Sequence, residues 1–324
     1  MRKIFLAAAI AAAVAGVQTA EAQNYPDRTI TMVVPFTAGG PTDTVTRLVA
    51  EAMQRDLGQQ IIVENVQGAG GTIGAGRVAK AEPDGYTLLL HHIGMATSAT
   101  LYRSLPYNPR EAFAPVGLVT RVPMTIVARA DFPPKDAAEL VAYLKENGDK
   151  VNYANAGIGA ASHLCGMLLM REIGTKLTTV PYKGTGPAMT DLMGGQVDLM
   201  CDQTTNTTNQ IKAGKIKGYA VTTPERLEVL SDLPTTQEAG LAGVQVTIWH
   251  GIYAPKGTPD DVVQRLTSSL QKALQDQNVI QRFAELGTAP VSQADATPEA
   301  LSKTLNEEID RWAPVIKDAG EFAD

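Results

Sequence analysis

Residues 29–50 read TITMVVPFTAGGPTDTVTRLVA, and they set the pattern for the rest of the chain. Ile30, Met32, Val33, Val34 and Phe36 form an apolar run of strand length, and Pro35, which has no N–H for a ladder, stops the pairing there. Thr37, Ala38, Gly39 and Gly40 carry no bulk, so backbone N–H groups can approach a bound molecule. Pro41 suits a first helical position, Thr42 or Asp43 supplies a cap, and Val45, Leu48, Val49 and Met53 recur at helical spacing. The loop ends at the positive end of a helix dipole, a place that suits an anion.

A second stretch repeats this grammar. Asn152-Tyr153-Ala154 leads into residues 155–163, NAGIGAASH, followed by an apolar helix from Leu164 to Ile173. Glycines after a single strand can simply turn the chain. Two such loops are instead expected to close on one small acid from opposite sides.

The chain opens with Arg2 and Lys3 before an apolar stretch from Ile4 to Val17, and Ala20-Glu21-Ala22 offers a small-residue cleavage site. Residues 1–22 are therefore expected to be a signal peptide cleaved after Ala22, which places the product in the periplasm without a lipid-anchoring cysteine. The remainder fits two domains at about 150 residues each. No other run approaches the roughly 18 apolar residues of a membrane span. With a net charge of −6 and no basic cluster, nothing offers a grip on a nucleic-acid backbone. Cys165 and Cys201 are the two cysteines; they are either bridged or buried as small apolar thiols.

Farther along, a strand at Gln60–Val63 precedes a glycine-rich segment at Asn65–Gly76, with a helix expected through Arg77 to Ala81. Gly74, Gly76 and Ala79 match a dinucleotide spacing, but no tight turn joins them to the strand, and Met95 stands where a ribose-binding acid belongs. These glycines are read as close packing. Residues 86–91, YTLLLH, form the next strand and end in His91-His92, whose side chains point to opposite faces. One is expected in the core and the other near a cleft.

Residues 113–129, FAPVGLVTRVPMTIVAR, look too long and too broken by Pro115 and Pro123 for one strand. They are read as a crossing between domains, paired with a return at residues 246–255. This gives lobe 1 as residues 23–121 plus 252–324 and lobe 2 as 122–251. Strands near 151–154, 178–182, 197–201 and 217–222 alternate with helical segments, as in a parallel, helix-covered sheet. The end is helical, at 260–275, 279–286 and 298–317, with Thr258 expected to cap the first of these.

Several long motifs in order, VPFTAGGPTDTVTR, NVQGAGGTIGAGRVAKAEPDGYTLL, LPYNPREAFAPV, NYANAGIGAASHL, VPYKGTGPAMTDLMGGQVDLMCD and LPTTQEAGL before WHGIYAPKGTP, resemble the Bug-type periplasmic receptors of tripartite tricarboxylate transporters. The resemblance covers essentially the whole chain after the leader. It implies an α/β fold of two lobes, type II-like, with parallel-type sheets, two hinge crossings and a cleft that closes on a small organic carboxylate. It also implies delivery to membrane transporter subunits, a monomer, and no cofactor or metal.

On that reading the ligand contacts are Phe36, Thr37, Ala38, Gly39, Gly40, Asp43, His92, Ala156, Gly157, Gly159, Ala160, Ala161, Ser162, His163, Asp202 and Gln203. Hydroxyls common in the second loop are replaced here by Ile158, Ala160 and Ala161, and His91-His92 and His250 stand at unusual places. A dicarboxylate or an aromatic acid is the first expectation. Asp202 either serves the site or caps a helix near Thr204, Asp43 is a cap or a contact, and His163 is a helix anchor or a contact. A ligand-sensing receptor shares the same fold. A hydrolase built on Ser162, His163 or Cys165 lacks the G-x-S-x-G elbow, and the four histidines show no metal-ligand spacing.

Overall fold

The computed structural model describes residues 25–320, 322 and 323. The expected leader and its cleavage after Ala22 lie outside the described residues. Strand β1 (Ile30–Val34) pairs in parallel with β2 (Ile61–Asn65) and β3 (Thr87–His92). Between them lie helix α1 (Pro41–Leu57) and helix α2 (Thr72–Ala79). Val45, Val49 and Met53 of α1 are fully buried, and Gly58, in the left-handed region at φ 71°, ends the helix with its N–H on the Gln54 carbonyl. Met53→Ala would cost about 2–5 kcal/mol through the lost contacts and the cavity left behind.

Helix α2 starts five residues before the expected Arg77, inside the glycine segment. A Cβ on Gly74 would lie 2.7 Å from the Val66 carbonyl and 2.8 Å from Pro35, so this glycine lets the helix lie against β1 and β2. Close packing, rather than phosphate contact, explains it. Helix α3 (Gly94–Leu101) follows β3.

Residues 113–129 form one 17-residue strand, β4, contrary to the expectation of a broken crossing. Residues 113–123 pair antiparallel with β9 (Thr247–Pro255), while residues 124–129 pair antiparallel with β7 (Leu199–Gln203) and β8 (Ile216–Val221). The register slips between Pro115 and Gly117, and again between Leu118 and Thr120, while Pro123 sits at the last pair with β9, where β4 passes over to β7 and β8. The strand is thus both a crossing and a full sheet member. With β5 (Asn152–Asn155) and β6 (Thr178–Pro181), the strand order is β2-β1-β3-β9-β4-β7-β5-β6, with β8 also on β4.

In the second lobe, β5 (Asn152–Asn155) pairs in parallel with β6 (Thr178–Pro181) and with β7. The sheets are therefore parallel at their outer strands, as the alternation of strands and helices predicts, and antiparallel at the crossings. Helices α4 (Ala137–Asn147), α5 (Ala161–Ile173), α6 (Thr185–Met193) and α7 (Thr204–Lys212) cover this lobe. Helices α8 (Asp260–Ala273), α9 (Gln277–Glu285) and α10 (Pro298–Ala319) complete the first, with α10 packed on α3 and β4. Thr258 does not cap α8: its hydroxyl donates to the Pro255 carbonyl, and Pro259 holds the N-cap position.

Cys165 on α5 and Cys201 in β7 form a disulfide across 36 residues. It ties the start of α5 to the strand that carries Asp202, and on a chain-entropy account such a loop stabilises by about 4 kcal/mol.

Candidate ligand-binding site

A closed cavity between the lobes is lined by Phe36, Gly40, Pro41, Thr42, His92, Ala156, Ala161, Ser162, Thr185, Asp202 and Gln203. Four helices begin at it. Pro41 and Thr42 open α1, Ala161 and Ser162 open α5, Thr185 opens α6, and Gln203 is the N-cap of α7. Helix geometry leaves the first N–H groups of each without an intrahelical carbonyl, and the dipoles add positive potential there. Such convergence favours an anion.

Eight of the sequence candidates line the cavity, namely Phe36, Gly40, His92, Ala156, Ala161, Ser162, Asp202 and Gln203. Thr37, Ala38, Gly39, Asp43, Gly157, Gly159, Ala160 and His163 stand behind it and shape the loops. Gly39 donates its N–H to Asp43 Oδ2 at 3.0 Å, and Gly159 donates its N–H to His163 Nδ1 at 3.3 Å. Ala156 N–H goes to Ser162 Oγ at 2.8 Å, Gly157 N–H to Asn155 Oδ1 at 2.9 Å, and Ala160 N–H to the Gly157 carbonyl at 3.1 Å. These five loop donors are thus spent inside the loops in this closed form. The helix first turns remain, with the Thr42, Ser162 and Thr185 side chains beside them.

Gly39 and Gly159 serve conformation. Gly39 at φ 78° and Gly159 at φ 84° occupy the left-handed region, where a side chain is strained, although a Cβ at Gly39 would meet nothing within 4 Å. Thr42, Pro41 and Thr185 go unnamed as contacts in the sequence reading. For Thr185 the signal is there: it follows Val180–Gly184, VPYKG, in the same strand-loop-helix grammar as the other two loops.

Asp43 is not an N-cap; Gly40 is, and Asp43 reaches back from the first turn. Burial pushes its carboxyl up, but the Arg47 guanidinium, the Gly39 N–H and the Asn65 amide together hold it below the usual carboxylate range. Asp202 is not a helix cap either. Its Oδ2 accepts from Asn206 Nδ2 at 2.6 Å, and it is 1% exposed. Burial raises it to about 6, against the lowering by Asn206, the Gln203 N–H and the Thr185 hydroxyl.

Both histidines of the pair are buried, so the expected division into one core ring and one cleft ring becomes one ring behind the wall and one in it. Phe36 stacks on His92 with centroids 4.7 Å apart, and His250 meets His92 edge-on at 5.7 Å. His92 Nδ1 accepts from the Gly94 N–H at 2.9 Å, which puts the hydrogen of the neutral ring on Nε2. Burial lowers His91 and His250 to about 3 and drives His92 down as well, so all three stay neutral.

The cleft is shut. Thr97 Oγ1 donates to the Gly159 carbonyl at 2.9 Å, Tyr102 Oη to the Ile158 carbonyl at 3.0 Å, and Thr37 N–H to the Lys183 carbonyl at 3.3 Å. The enclosed space is about 20 Å³, room for one water and far short of an organic acid. A ligand therefore enters only after these cross-lobe bonds open.

The chain matches the family described as tripartite tricarboxylate transporter family receptor over residues 45–321. It is 56% identical over 303 residues to the UPF0065 protein in the TAR-I ttuE-ttuC' intergenic region of Agrobacterium vitis, covering 93% of this chain and 88% of that one. The solved periplasmic binding protein BugD is 54% identical with a TM-score of 0.91, over 93% of this chain and all of that one (100%). MatC from Rhodopseudomonas palustris, solved with bound malate, is 44% identical with a TM-score of 0.87, over 90% of this chain and 100% of that one.

Proposed function

Because the chain belongs to the tripartite tricarboxylate transporter receptor family, whose members bind solutes and are not enzymes, we propose that it captures a small organic carboxylate between its lobes. We assign it to the periplasm, as the exported product of residues 23–324, and its task to handing the acid to membrane transporter subunits. The observation that carries this reading is the meeting of four helix N-termini at one buried cavity. A carboxylate there accepts charge-assisted hydrogen bonds from first-turn N–H groups, each contributing on the order of 1 kcal/mol. Thr42, Ser162 and His92 Nε2–H add donors from both lobes. Malate bound to the similar MatC supports a carboxylate of modest size.

Binding and closure are one event on this reading. The ligand enters an open cleft, bridges α1 of one lobe and α5 of the other, and holds Thr97 and Tyr102 against the Ile158–Gly159 carbonyls. Calorimetry on ligand-stripped protein against citrate, C4–C6 dicarboxylates, glutamate and benzoate-type acids tests it. Micromolar or tighter binding of one class is the expected result. Folded protein that binds none of them refutes the reading.

A further inference from the structure

The cavity has two chemically unlike ends, and the reading above accounts for only one. The donors of α1 and α5 face it with the Ser162 side chain, as a carboxylate requires. On the β7 side, beside the first turn of α7, the cavity also presents acceptors. Asp202 brings a carboxylate, and Gln203, 2% exposed, brings an Oε1 with no hydrogen-bond partner among the described residues. A buried acceptor without a donor is a debt that a native protein seldom carries without a purpose. A pure anion does not settle it: a second carboxylate pressed on Asp202 meets like charge, and it offers no hydrogen.

Resting on the carboxylate reading, we infer that the Asp202–Gln203 pair selects an acid that carries its own hydrogen-bond donor, a hydroxyl or an ammonium, within a few bonds of the bound carboxylate. The donor completes Gln203 Oε1 and takes a lone pair of Asp202, while the carboxylate lies on the helix first turns. The geometry is held firmly. Asn206 fixes one Asp202 oxygen at 2.6 Å, Thr125 Oγ1 donates to the Asp202 carbonyl at 3.1 Å, and the disulfide anchors the preceding residue, Cys201, to α5. Asp202 also stays costly to keep: burial raises it to about 6, so at neutral pH it is ionised, and beyond Asn206, the Gln203 N–H and the Thr185 hydroxyl its two oxygens have a lone pair left for a ligand donor. A site that hydrogen-bonds a ligand donor rejects the analogue without it far more strongly than an apolar pocket rejects a missing methylene.

The test is calorimetry at pH 8 with L-malate, L-aspartate and succinate, which share a carbon count and differ in the donor. At least one of the first two is expected to bind more than about tenfold tighter than succinate. In Asp202→Asn that ratio should fall below about threefold, and Gln203→Met, which keeps the length and removes the acceptor, should lower it severalfold. Gln203→Met carries the test alone if Asp202→Asn does not fold. Succinate binding as tightly as both partners overturns the inference and leaves the carboxylate reading intact, as does a ratio unchanged in the variants. If all three fail while another carboxylate binds, the inference again falls alone; if no carboxylate binds, both fall.

Discussion

Residue for residue, the loop from Phe36 to Asp43 and the loop from Ala156 to His163 follow one plan. Each has a left-handed glycine at its fourth place, an extended N-cap at its fifth, a small hydroxyl residue, Thr42 or Ser162, at its seventh, and an acceptor at its eighth that takes the glycine N–H. They differ in that acceptor. Asp43 is a carboxylate held by Arg47 and Asn65 as well, while His163 offers a ring nitrogen. Asp43 sets a negative charge in the first turn of α1 and offsets part of its dipole; α5 has no acidic residue in its first turn. The same backbone thus makes a firmly braced wall on one side and a stronger anion attractor on the other.

Acid is the harshest way to break that contrast, because the buried rings of His91, His92 and His250 pack on Phe36 and Thr42 of the first loop. Their folded pKa values lie below the unfolded 6.5, so the unfolded chain binds more protons and stability falls as pH drops from 6.5 toward 3. At pH 4 the loss is expected on the order of 5 kcal/mol, read from urea midpoints at pH 7 and pH 4. Stability unchanged over that range would mean the rings are not buried neutral.

Removing the disulfide attacks the other wall. Cys165→Ala with Cys201→Ala should lower stability by about 4 kcal/mol and weaken carboxylate binding, since α5 and β7 then shift apart. Ligand affinity unaffected in a destabilised variant would show that the bridge stabilises without positioning. A direct comparison of the braces comes next: Asp43→Ala is expected to lose about 2 kcal/mol, through a charge-assisted bond and stranded partners, and His163→Ala about 1. Equal losses in chemical denaturation would erase the distinction drawn here.

The smallest effect has the opposite sign. The Asp202 pKa is raised, so its protonated form favours folding, and that contribution is present below about 4 and lost as pH rises through about 6. Asp202→Asn should therefore gain about 1 kcal/mol at pH 7.5, after the weakened Asn206 bond is counted, with the gain vanishing near pH 4. A variant less stable at pH 7.5 would show that the carboxylate is needed structurally.

Much of this is legible in the sequence, for identifiable reasons. Both strand-loop-helix units show because apolar spacing, glycines and Pro41 all act locally. The β4 strand escapes because a proline reads as a stop, whereas Pro115 sits at a register slip and Pro123 at the hand-over from β9 to β7 and β8, so both stay in the strand. The start of α2 escapes because Gly74 lowers helix propensity while tertiary packing against Pro35 requires it. Within the site, residue types predict that an anion suits the loops, yet the sequence does not reveal that Asp43 and His163 spend the glycine donors. That depends on where an i+4 side chain turns.

The strand β4 also makes the protein a mechanical object. It runs unbroken from the sheet of one half into that of the other, with β9 beside its first part, like the leaf of a flat spring, so opening has to twist a ribbon. Both described ends of the chain are on the same half: Tyr25 bonds to Gly85, and Ala323 pairs with Tyr102. A tether at either end would therefore carry load into one plate and leave the other free to swing, so the molecule could be fixed to a surface by a terminus without stiffening the motion that admits its ligand.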